Sequence, residues 1–276
     1  MEITHVRDMN KTMQAIALEA SVLPNVVGTI KNFFPDLVHQ FKASFVGTSE
    51  LEKADTKPVK LEKELVDFLK KNNYIDLMKV SVTVPEGFDA EFIYAIEVMD
   101  QATAAIQSLI NRDIRDFRVY VSTFLTNKDT KISLKDLSLS FENTDRQLRD
   151  LNELYVQLYK QNSFESTKPL KTLVKRNADI ETVLTKLVHT KSKLNQIDIP
   201  ALKSLLQDIA HMLESIVDQV QNKKIENVSP EAIINLTHGT QVTAKAAETI
   251  SASYFRSMTI INAIERLPQE LVENHK

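Results

Sequence analysis

Ser229 to Leu267, SPEAIINLTHGTQVTAKAAETISASYFRSMTIINAIERL, reads as one continuous helix, and its length decides the architecture. Ser229 is suited to cap it, Pro230 to the first helical position, and Glu231 to the positive end of the macrodipole. Pro268 is expected to stop it. Ile233, Leu236, Thr240, Thr243, Ala247, Ile250, Tyr254, Ser257, Ile261 and Ile264 recur at alternating steps of three and four, so they share one stripe. Such a rod is roughly 55 Å long at 1.5 Å per residue. A compact globule cannot cover it, and its neighbours are therefore expected to be long helices too.

Other segments carry the same rhythm. Asp89 to Thr126 has Phe92, Ile96, Met99, Thr103, Ile106, Ile110, Ile114, Phe117, Val121 and Phe124, with one repeated step of four at Ile114 that reads as a stutter. Glu142 to Gln161, Lys168 to Asn195 and Ala201 to Lys223 follow. The seam of Lys168 to Asn195, formed by Leu170, Leu173, Asn177, Ile180, Leu184, Leu187, Lys191 and Leu194, contains two polar residues. Short links suggest that the last three helices run antiparallel as one bundle. Strand character is limited. Lys79 to Val84 alternates Val80, Val82 and Val84 with Ser81 and Thr83, and its best partner by pattern is Ile132 to Phe141, a stretch that also fits a helical seam.

The fold class expected is mainly α: an elongated bundle of long amphipathic helices with a smaller N-terminal helical arm and a minor β element. The corresponding ranges are 1–46 for the arm, with short helices at Met9 to Val22 and from Pro24 to Val46. A linker follows at 47–58, then a short helix and strand at 59–88, the long-helix bundle at 89–267 and a tail at 268–276. Four glycines and eight prolines among 276 residues suit helices better than loops. Zero cysteines remove disulfides and thiolate chemistry, and a net charge of −3 argues against a surface that binds nucleic acid throughout. No uncharged run approaches the roughly 20 residues of a membrane span, and Met1 to Lys11 lacks the apolar core of a signal peptide. A soluble protein is expected, cytoplasmic or part of an assembled particle.

Reactive constellations are not found. Gly28, Gly47, Gly87 and Gly239 stand alone, so no phosphate-cradling loop is present. Asp36/His39 and Asp208/His211 have the three-residue spacing of helical metal ligands, but the glutamates such sites add are missing, and no metal or cofactor is expected.

Two surfaces are candidates for contacts. Phe33, Phe34, Leu37, Phe41 and Phe45 crowd one side of the arm, as part of the core or as a docking face for another subunit. Lys168, Lys171, Lys175, Lys186 and Lys193 form a basic face, either paired with acids such as Glu142, Asp145, Asp150 and Glu153 or open to an anionic partner. The functional expectation is a non-enzymatic structural or assembly component that binds other protein subunits and self-associates. A pore-forming or membrane-acting bundle and a nucleic-acid-binding protein using Lys168 to Lys193 are the alternatives. The closing TISASYFRSMTIINAIERLP, residues 249–268, and the cysteine-free, helix-rich chain around it resemble virion structural proteins of large tailed phages. That resemblance implies a virion or assembly role and assigns no site.

Overall fold

The computed structural model describes residues 26–45, 75–126, 141–158, 165–222 and 230–273. Among them the chain is mainly α, with one two-stranded sheet. The elements are α1 (Val26–Ser44), β1 (Ser81–Pro85), α2 (Phe92–Ser108), a π-helical segment (Leu109–Ile114) and α3 (Arg115–Thr126). After these come α4 (Phe141–Val156), β2 (Glu165–Pro169), α5 (Leu170–Leu173), α6 (Asn177–Leu194), α7 (Ile199–Gln221), α8 (Pro230–Glu265) and α9 (Leu267–Glu273). The expected helix at Met9 to Val22, the linker at 47–58 and the helix at Lys60 to Lys71 lie outside the described residues, as does Ile132 to Phe141 except for Phe141, which opens α4.

Two compact units emerge, each assembled from three stretches of chain. The first takes residues 1–53, 106–149 and 198–251, and the second 54–105, 150–197 and 252–276. The boundaries fall inside α2, α4 and α8, so they cut across the ranges read from the sequence. Within residues 89–267, α6 belongs to the second unit and α7 to the first. Linear patterning could not show this, because every stretch in either unit has the same helical period.

In the first unit α7 packs against both α1 and α3. Its own start is well defined. The Asp198 carboxylate accepts the Ala201 N–H at 2.8 Å, and Pro200 occupies the first turn, where a missing N–H costs nothing. Leu202, Leu206, Ile209, Leu213, Ile216 and Val220 are all buried, in agreement with their spacing. Lys42 of α1 pairs with Glu214 and Arg118 of α3 with Asp208 at the margins.

The π-helical segment coincides with the stutter. Buried positions run Ile106, Leu109, Ile114, Phe117, with Ile110 turned partly to solvent. The expectation that Ile110 continues the stripe is corrected: steps of three and five replace two steps of four, because the wider π turn accommodates the longer step.

The second unit holds the sheet. β1 pairs antiparallel with β2, Ser81 opposite Pro169 and Val84 opposite Ser166. Among the described residues β2 is the partner of β1, and the expected partner, Ile132 to Phe141, lies outside them except for Phe141. Val82 and Val84 point inward, and the edge is fastened by the Leu170 N–H to the Val80 carbonyl at 2.8 Å and the Lys171 N–H to the Leu77 carbonyl at 3.0 Å. Lys168 and Pro169 therefore close a strand rather than open a helix, and Val174 in extended conformation separates the single turn of α5 from α6. Asn177 opens α6 instead of interrupting its middle.

α8 ends at Glu265, short of Pro268, which then lies inside the first turn of α9, a position proline tolerates, and α1 continues through Pro35.

In the first unit, Gly239 of α8 is a mid-helix glycine with a packing reason. A Cβ there would lie 2.1 Å from Cε2 of Phe117 and 2.9 Å from Cζ of Phe141. Phe117 and Phe141 meet edge to face at 6.3 Å, and both are buried, so neither ring has room to withdraw. Alanine would gain about 1 kcal/mol in helix propensity and lose more to overpacking. Gly239→Ala is expected to destabilise by about 1–3 kcal/mol in chemical denaturation; a stabilised variant would show that the rings yield.

Candidate functional site

The apolar face of the arm is placed first. Phe34, Leu37, Phe41 and Phe45 are buried within the first unit, on the helix that packs against α7, and Phe41 and Phe45 meet edge to face at 5.5 Å. These side chains are buried by the chain itself rather than offered to a partner. The side chain of Phe33 lies outside the described residues.

The basic face is engaged as well. Lys168 pairs with Asp89, Lys175 with Glu91, Lys186 with Glu97 at 2.9 Å and Lys193 with Asp100 at 3.3 Å, while Lys171 donates to the Lys175 carbonyl. Thr190 adds a hydrogen bond to Asp100 at 3.0 Å. Partners on both strings advance in the same direction, so within the second unit α2 and α6 lie parallel with these pairs along their seam. The acids are not Glu142, Asp145, Asp150 and Glu153, as the sequence suggested. Asp145 instead pairs with Lys245 at 2.7 Å. A polyanion approaching the lysines would have to displace carboxylates that stand beside them. Each exposed pair is worth about 0.2–1 kcal/mol, so the row positions α6 more than it stabilises it.

One lysine differs. Lys191 is buried, its side chain 4% exposed, and its ammonium meets the Glu265 carboxylate at 2.7 Å. Here the counter-charge is required, because a lone ammonium in an apolar setting bears a large desolvation cost.

Candidate metal spacings resolve into surface chemistry. Asp208 is held by Arg118, and His211 faces Glu214 at 3.3 Å. Asp36 and His39 are exposed. No group of three or more possible ligands gathers among the described residues, and no helix among them is long and apolar enough to cross a membrane.

Sequence reasoning missed the buried polar groups of α8. Thr237, Thr249 and Ser253 are buried with hydroxyl oxygens that meet no partner, and one oxygen of Glu248 is in the same position. Burial alone pushes the Glu248 carboxyl up to about 7. His238 stacks near Phe141 at 4.9 Å, and its imidazole is pushed down by burial against the opposing pull of Asp145 and Glu142. The available signal was the density of Thr and Ser on the seam of α8.

Among the described residues, few large apolar side chains are left outside. Met78, Tyr94, Val156, Phe255 and Val272 are exposed in the second unit, with Val156 at 68% and Phe255 at 60%. No family model, curated protein or solved structure matches the chain.

Two outcomes follow from the buried charges. Glu265→Ala should destabilise by about 2–4 kcal/mol, since it strands Lys191, whereas Lys191→Met should cost clearly less; equal losses in thermal melts would mean that the pair acts only through packing. For Glu248, the folded pKa near 7 lies above the ordinary 4.5, so the native state holds the extra proton between those values and stability falls as pH rises through that window. Glu248→Gln should then raise stability at about pH 8 by about 1–2 kcal/mol, a value reduced by partial exposure, and leave it unchanged at about pH 4. A melting difference independent of pH would contradict this.

Proposed function

We propose that the chain is a non-enzymatic structural or assembly subunit of a multi-subunit complex, of the kind found among tailed-phage virion proteins, acting through helix-mediated contacts with other protein subunits, its own copies included. One observation carries the reading. α8 is covered so thoroughly that between Asn235 and Glu265 only Phe255 and Asn262 are exposed, and yet one of those two is a phenylalanine. Exposing that ring to water costs free energy that burial against another surface recovers, at about 25 cal/mol per Å². The ion pairs support the same reading over the polyanion-binding one, since Lys168, Lys175, Lys186 and Lys193 each already face a carboxylate.

Native mass by multi-angle light scattering tests the proposal, with absorbance recorded for bound nucleic acid. From about 1 to about 100 μM, the range where interfaces of modest area associate, the mass should rise above the 31.4 kDa of one chain. A mass fixed at one chain throughout would overturn self-association, and co-eluting nucleic acid would favour the polyanion-binding alternative.

A further inference from the structure

Four rings form a chain within the first unit, and the last of them titrates. Tyr120 and Phe117 of α3 stack at 6.4 Å, Phe117 meets Phe141 at 6.3 Å, and the His238 imidazole tilts against Phe141 at 4.9 Å. Gly239, the residue after His238 on α8, leaves the space that Phe117 and Phe141 fill. Phe141 is also the first residue of α4, and the part of α4 that belongs to this unit ends at Arg149. That is a short length of helix. It is fastened by the buried Phe141 and Leu148, by the Thr144 hydroxyl donated to Asp113, and by Asp145 with Lys245 at 2.7 Å.

We infer that His238 and Phe141 form an acid-sensitive clasp: protonation of the imidazole parts it from Phe141 and frees the first turns of α4 from α8. A ring half-buried against Phe141 has lost part of its hydration, which the imidazolium needs more than the neutral imidazole does. The charged groups of α4 that face His238 are Glu142 and Asp145, and both favour the cation. Asp145, however, is already paired with Lys245, and Glu142 is exposed to water, which screens it. Arg146 turns to Asn143. α3 meets this stretch of α8 through Phe117 and Tyr120, and Asp113 of the π-helical segment is engaged by Arg112 and Thr144. Burial therefore prevails over the two acids and holds the imidazole below the ordinary value of 6.5. As pH falls the unfolded or opened chain takes up the proton first, so the contact contributes fully above 6.5 and is lost as pH drops below it toward the folded value.

Amide hydrogen exchange on the full chain tests the clasp, read over residues 141–149 at about pH 7.5 and about pH 5.5 and corrected for the intrinsic pH dependence of exchange. In the wild type these amides should open several-fold more often in acid, while those of α7 in the same unit keep their protection. His238→Phe retains a ring against Phe141 but cannot be protonated, and should abolish the difference. Glu248 titrates across the same window in both proteins and cancels in the comparison. If wild type and His238→Phe respond alike, if α7 opens in parallel, or if α4 is better protected in acid, the clasp is wrong. Should His238→Phe fail to fold, the wild-type exchange is read with an NMR titration of the His238 imidazole: a midpoint below 6.5 supports the clasp, and one at or above 6.5 overturns it.

Discussion

Burial of α8 on nearly every side is the constraint to which the other helices answer. A helix enclosed in this way cannot carry long side chains all round, and its sequence accordingly uses Ala, Gly, Ser and Thr where an ordinary surface helix has charged residues. Small side chains let neighbouring backbones come close, and Gly239 under Phe117 and Phe141 is the extreme case. The hydroxyls then need partners. Thr240 and Ser251 return theirs to the carbonyl one turn earlier, and Ser257 meets Tyr155. Thr237, Thr249 and Ser253 have none, so the helix tolerates some polar cost in exchange for its narrow girth.

Charge is arranged to the same end. The pairs that link α2 and α6 advance in the same direction along both helices and add little energy individually. Lys191 with Glu265 adds a buried constraint of the same kind.

Much of this was legible in the sequence. The seam of α8 and its length follow from residue spacing, as does β1 from its alternating valines, and the stutter at Ile114 marked the place where the helix becomes π. What escaped had a physical cause in each case. β2, ESTKP, lacks apolar alternation because neither of its faces is buried, so nothing in its composition identifies it as a strand. The partners of Lys186 and Lys193 lie on α2, far away in the chain, whereas charge patterning sees only neighbours. The covering of Phe34 and Phe41 by α7 is long-range as well, and an apolar face looks identical in sequence whether its cover comes from its own chain or another. The exposed Phe255 was invisible for the opposite reason: it sits one position from the buried Tyr254 in a run where both residues look like core.

The composition of each unit from three separated stretches has a consequence for the order in which the chain can mature on the ribosome. α1 exposes Phe34, Leu37 and Phe41 as soon as it is made, but α7, which covers them, ends at Gln221. At synthesis rates of about 5–20 residues per second, that delay is roughly 10 to 35 seconds. During this interval an apolar helix is attached to a polysome with neighbouring nascent chains that carry the same face. The packing of α1 on α7 can therefore form only late in synthesis, after most of the intervening stretches of both units have been made.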